Sequence, residues 1–159
     1  MAIFVSGMPC GICGEPMESA EEVHGFPPFV YNQKDPLHLF SDGVFHKACL
    51  ENHPLGQAAL RRVQLHIDNN KPANRVCRIT GEQITDPDDY FSLGYLTDNL
   101  DSELSKWNYA HFKKSSLERW SEIKTLIGFL EELRDSGEWE MSGINWIIDE
   151  LKSFDVSTH

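Results

Sequence analysis

The clearest periodicity in the chain lies in its last third. Leu117, Trp120, Ile123, Ile127 and Leu130 recur at three- and four-residue spacing, which predicts a helix running on from about Phe112. Ser136-Gly137 breaks that pattern, and Trp139, Ile144, Ile147, Ile148 and Leu151 resume it in a last helix. These Trp and Ile stripes read as core positions, not as a cofactor box. Upstream, Pro54 opens a helix through Ala58, Leu60, Val63 and Ile67, which Asn69-Asn70 ends before Pro72. Elsewhere the apolar runs are short. Phe29-Val30-Tyr31 and Leu37-His38-Leu39-Phe40 predict strands, Ser41-Asp42-Gly43 a turn, and a short helix should start near His46. Residues 90–96 and 104–110 predict two more strands, and 8–15 and 77–82 predict turns. The expected fold class is α+β.

Shifting the chain against itself by 67 residues aligns these elements without a gap. Cys10 falls on Cys77, Ile12 on Ile79, Gly14 on Gly81 and Glu15 on Glu82. Glu21-Glu22 falls on Asp88-Asp89, Phe45 on Phe112, Lys47 on Lys114, Leu50 on Leu117 and Glu51 on Glu118. Matches clustered at both ends of one segment predict two copies of a structural unit. The expected division is 1–72 and 73–159, with C-terminal helices added to the second copy. That copy is rich in bulk for packing, including Tyr90, Phe91, Leu93, Leu96, Leu104, Trp107 and Phe112.

The first copy holds the candidate chemistry. Cys10 and Cys13 are two residues apart, as are His46 and Cys49. Two such pairs offer four ligands from two local turns, which suits tetrahedral zinc. Four protein ligands leave no position for water, so the expectation is one structural Zn2+. His53 or Cys77 stand as alternatives to His46 for the fourth ligand. A disulfide between Cys10 and Cys13 is the weaker reading, because a second ligand pair waits downstream. Gly11 and Gly14 let the backbone wrap the metal so that amides can face the sulfurs. In the second copy Thr80, Lys113 and Ser116 stand at the positions of Cys13, His46 and Cys49, so packing must replace the metal there.

A Cys-x-x-Cys turn, a hairpin, then a helix whose first turn carries two more ligands resembles the treble-clef class of zinc fingers, including the halves seen in LIM and RING modules. The resemblance rests on Cys10-Gly-Ile-Cys13-Gly and Phe45-His46-Lys47-Ala48-Cys49-Leu50 and covers about a third of the chain. It implies two tandem treble-clef-like units, the second degenerate. The 32 residues between Cys13 and His46 exceed a LIM first half, and the second ligand set of a RING is absent, so ligase activity is not implied.

Charge changes the picture once more. The net charge is −11, which repels nucleic-acid phosphates. Seven acids, Glu82, Asp86, Asp88, Asp89, Asp98, Asp101 and Glu103, lie between Arg78 and Lys106 with no base among them. This stretch is either a face for a basic protein partner or is neutralised by the cations of 61–78. No apolar run is long enough for a membrane span, and the start has no secretory pattern, so a cytoplasmic location is expected. Phosphate-binding and dinucleotide-binding loops and His-Glu-x-x-His are absent. The expected function is non-enzymatic protein binding, in concrete form a bacterial-type immunity or antidote protein against a basic toxin. The rival is a nucleic-acid-binding or nuclease-like zinc protein using Arg61, Arg62, Arg75 and Lys113, with His111 as the candidate nuclease histidine.

Overall fold

The computed structural model describes residues 3–140 and 143–155. The described residues form an α+β structure, with five α-helices and two small antiparallel sheets. The chain divides into two compact units, Met1–Ile67 and Asp68–His159.

In the first unit, β1 (Val23–Gly25) pairs with β2 (Val44–His46), with Val23 opposite His46. α1 (Lys47–Asn52) follows β2 directly, and α2 (Gly56–Asn70) closes the unit. The expected strand at 37–40 is a 3-10 helix, Pro36–Phe40. The reason is local. Asp35 accepts from the Leu37 amide at 2.8 Å, Pro36 pre-sets the first turn, and Leu37 and Phe40, three apart, are both buried. Residues 29–31 are likewise not a strand. The amides of Phe29 and Val30 are taken by the Ser41 hydroxyl, at 3.0 and 3.1 Å, so no strand ladder is needed to satisfy them. The core gathers Phe26, Phe29, Phe40, Phe45 and Leu50. Arg62 is buried beside Asp35 at 3.3 Å, so the residue that caps the 3-10 helix also neutralises a core-facing cation.

In the second unit, β3 (Tyr90–Ser92) pairs with β4 (His111–Lys113) in the register Tyr90 opposite Lys113. Residues Glu103–Trp107 are again a 3-10 helix where a strand was expected, here capped by Ser102. α3 (Lys114–Leu117) stops early, and α4 (Ile123–Asp135) starts after a turn, so the single long helix expected from 112 is two. Leu117 and Trp120 keep their inward positions because the turn preserves the spacing: the Trp120 amide bonds the Leu117 carbonyl at 3.1 Å. Gly137, at φ 73°, ends the segment, and α5 (Gly143–Phe154) packs on α4. Trp139 precedes α5 but is buried with it.

The division at 67/68 falls within the last turn of α2, earlier than the expected 72/73. His111 Nε2 donates to the Asn69 carbonyl at 3.0 Å, and Arg75 donates to that of Asn70 at 3.0 and 3.2 Å. These bonds assign the end of α2 to the second unit.

Many bonds of the first unit recur 67 residues later. Asp42 and Tyr109, the non-glycine residues with positive φ among those described, correspond, at 54° and 56°. The Leu37 and Leu104 amides bond the side chains of Asp35 and Ser102. Ser41 holds the amides of Phe29 and Val30 as Asn108 holds those of Leu96 and Thr97.

Candidate metal centre

The N-terminal turn is built by its backbone before any metal is considered. The Cys10 amide bonds the Glu15 carbonyl at 2.9 Å, and the Gly14 amide returns to the Cys10 carbonyl at 2.9 Å. Gly14 takes φ 75°, which closes the loop at no steric cost. Gly11 serves a different end from the one expected. Its amide bonds the Val44 carbonyl at 3.1 Å, and a Cβ there would lie 2.6 Å from the Phe45 ring. The glycine lets the turn lie flat on Phe45, which brings Cys10 and Cys13 to the end of β2. His46 is the N-cap residue of α1, and Cys49 follows in its first turn.

The ligand atoms of Cys10, Cys13, His46 and Cys49 all lie within 4.8 Å of one another. His46 Nδ1 is 3.5 Å from the Cys13 sulfur and 3.7 Å from that of Cys49. Zinc bonded to sulfur at about 2.3 Å and to nitrogen at about 2.0–2.1 Å has tetrahedral edges of roughly 3.6 Å between nitrogen and sulfur. The donor set and its spacing therefore fit a single zinc ion held by three thiolates and an imidazole. Neither His53 nor Cys77 joins the group. His53 Nδ1 accepts from the Leu55 amide at 3.1 Å, with its ring edge-on to Phe40. Cys77 is buried beside Ser116 in the second unit.

The amides that face a sulfur are those of Ile12 and His46, at 3.5 and 3.4 Å from Cys10 Sγ. Burial pushes the Cys10 thiol up, but the amides of Cys13, Ile12 and His46 outweigh it and bring Cys10 down to about 6. Cys49 is pushed up to about 11, first by its hydrogen bond with Cys13 and then by burial and by the charge of its neighbours. Three sulfurs this close cannot all hold negative charge without a cation, and a divalent ion resolves that conflict.

The acidic stretch is dispersed in structural work. Glu82 accepts from Lys113 at 2.6 Å, and this holds its carboxyl below the usual range. The Asp89 carboxylate takes the Ser115 amide at 2.7 Å and hydroxyl at 2.8 Å, so it caps the start of α3. Asp98 accepts from Tyr95 at 2.8 Å, Glu103 pairs with Lys106 at 3.0 Å, and Asp86 accepts from the Asp88 amide at 2.9 Å. Asp86, Asp88, Asp98, Asp101 and Glu103 are nevertheless exposed. The cations of 61–78 turn elsewhere. Arg62 goes to Asp35, Lys71 to Asp68, Arg75 over the Tyr90 ring and Arg78 over that of Trp107. One residue that periodicity overlooked is Leu100, which is 79 % exposed between Asn99 and Asp101. A lone apolar residue in a polar run was its signal. Comparisons with protein-family models, curated proteins and solved structures found no match to the chain. No helix among the described residues is long and apolar enough to cross a membrane.

Proposed function

We propose that this chain is a non-enzymatic, zinc-stapled protein-binding protein built of two tandem treble-clef-like units, the second free of metal. The order of turn, hairpin and ligand-bearing helix supports the treble-clef reading of the first unit, and the bonds recurring at 67-residue offset support the duplication. The observation that carries the functional reading is the loop at 97–103. Leu100 stands bare at its tip, with exposed Asp98, Asp101 and Glu103 around it. The loop is held in place: Asn108 bonds the amides of Leu96 and Thr97, and the Ser105 hydroxyl bonds the Leu100 carbonyl at 3.2 Å. A rigid apolar tip ringed by acids suits a basic protein surface with an apolar hollow, since little ordering entropy is lost on binding. The concrete form is a cytoplasmic immunity or antidote protein that neutralises a basic toxin.

The full chain and its Asp98→Lys/Asp101→Lys variant, used as baits on one lysate, test this. A basic protein retained by the wild type, released by salt and lost from the variant is the expected result. Equal capture by both baits overturns the reading. The nucleic-acid alternative is disfavoured by its own residues: Arg62 is buried, Lys113 is bound to Glu82, and both ring nitrogens of buried His111 are engaged. A complex with DNA or RNA in a low-salt gel shift would revive it.

A further inference from the structure

The corner around Cys77 keeps the framework of the candidate zinc site, bond for bond. The Cys77 amide bonds the Glu82 carbonyl and the Gly81 amide returns to the Cys77 carbonyl, each at 2.8 Å. Gly81 takes φ 72°, against 75° at Gly14. The Arg78 amide bonds the His111 carbonyl at 2.8 Å, as the Gly11 amide bonds that of Val44. Most directly, the Lys113 amide faces Cys77 Sγ at 3.3 Å, as the His46 amide faces Cys10 Sγ at 3.4 Å. A backbone amide aimed at a sulfur is the outer support a metal-bound thiolate needs.

Only the side chains differ. Ser116 Oγ lies 3.4 Å from Cys77 Sγ, where Cys49 stands in the first unit. Lys113 replaces His46, and its ammonium bonds Glu82 at 2.6 Å. Thr80 replaces Cys13, and its hydroxyl reaches the same Glu82 carboxylate at 3.3 Å. The lysine brings a positive charge to the corner, and the hydroxyls bring hydrogen bonds, so the sulfur is supported without a metal. Burial pushes the Cys77 thiol up, yet the Ser116 hydroxyl and the Lys113 and Thr80 amides bring it down to about 7.

We infer that the Cys77 corner is a zinc-site framework in which Thr80, Lys113 and Ser116 have taken the metal's place, and that it will accept a tetrahedral divalent cation when those three side chains become ligands. The inference rests on the zinc reading of the first unit, and the wild-type metal count tests that reading separately.

The experiment compares the full-length wild type with the Thr80→Cys/Lys113→His/Ser116→Cys variant by cobalt(II) titration and by bound zinc after dialysis. The variant should bind one more equivalent than the wild type, with its sulfur-to-cobalt charge-transfer absorption about doubled. All four tryptophans, Trp107, Trp120, Trp139 and Trp146, belong to the second unit, so their fluorescence reports its folding. A folded variant that binds no more metal than the wild type overturns the inference. A variant that stays unfolded in excess metal also overturns it, because the framework is held to need no backbone change. A wild type that binds no metal sinks the zinc reading of the first unit, while a gain of one equivalent in the variant would still support the second framework.

Discussion

His46 is the residue on which the metal centre turns, because it comes from a strand end and its three partners come from two turns. Its Nδ1 meets the sulfurs of Cys13 and Cys49 at distances that match a shared tetrahedral ion. His46→Ala should therefore weaken zinc binding by more than about 100-fold, beyond the range of outer-shell changes. Competition with a chromophoric chelator measures this, and unchanged affinity would return the fourth ligand to His53 or Cys77. His111 makes a contrasting case. Its Nε2 must carry the proton, since the Asn69 carbonyl only accepts, so Nδ1 accepts from the Tyr90 hydroxyl at 2.9 Å. Burial, with the Arg75 charge nearby, lowers its pKa despite the Asn69 bond. A base depressed in the folded state favours folding fully above its ordinary pKa of about 6.5, and that contribution is lost as pH falls towards the folded value. Thermal melts followed by tryptophan fluorescence should thus show the second unit weakening between about pH 7 and about pH 5. The same melts on His111→Gln should be flatter, and an equal slope in the variant would refute the assignment.

Among the elements, the helices were the more legible. α2 and α5 appeared where their apolar spacing put them, because burial of a stripe at 3.6-residue period is a local signal. The strands were not legible. The two sheets have three-residue strands, and their pairing joins Val23 to His46 and Tyr90 to Lys113 across long intervals. The apolar runs at 37–40 and 104–107 looked like strands but are 3-10 helices, since a capped turn places residues three apart on one face. Within the second core, Leu126 on α4 is fully buried while Trp146 on α5 is 60 % exposed. Leu126→Ala should cost about 2–5 kcal/mol in urea unfolding, whereas Trp146→Ala should change stability by less than about 0.5–1 kcal/mol. Circular dichroism serves both, because the second variant removes a fluorophore. Gly11→Ala tests the packing of the zinc turn on β2. Its methyl would collide with Phe45, itself pressed between Phe26 and Phe40, and should cost about 1–3 kcal/mol with zinc present. No loss would show that the turn can move off the ring.

At the scale of the whole molecule, the two units solve one problem in two ways. The first has a core of modest size and a cluster of sulfurs that needs a cation. The second has the larger aromatic and aliphatic core, with Trp107, Phe112 and Trp120 in mutual contact. Chelation should accordingly unfold the first unit alone. Circular dichroism would fall by part of its amplitude, while tryptophan fluorescence stayed at its native wavelength. Loss of both signals together would mean that the second unit also depends on metal. Much of this scheme was present in the sequence alone, because ligand spacing and the 67-residue offset are properties of order along the chain. Cys10, Cys13, His46 and Cys49 could be grouped, and Thr80, Lys113 and Ser116 recognised as their replacements, without coordinates. The tertiary structure decided what depends on distance. It separated His46 from His53 by showing which nitrogen faces the sulfurs, and it turned Gly11 from a metal-wrapping residue into a bed for Phe45. It also split the acidic run into carboxylates that cap and pair and an exposed loop that presents Leu100. Which partner a side chain meets across dozens of residues is set by packing, and packing is not written in local spacing.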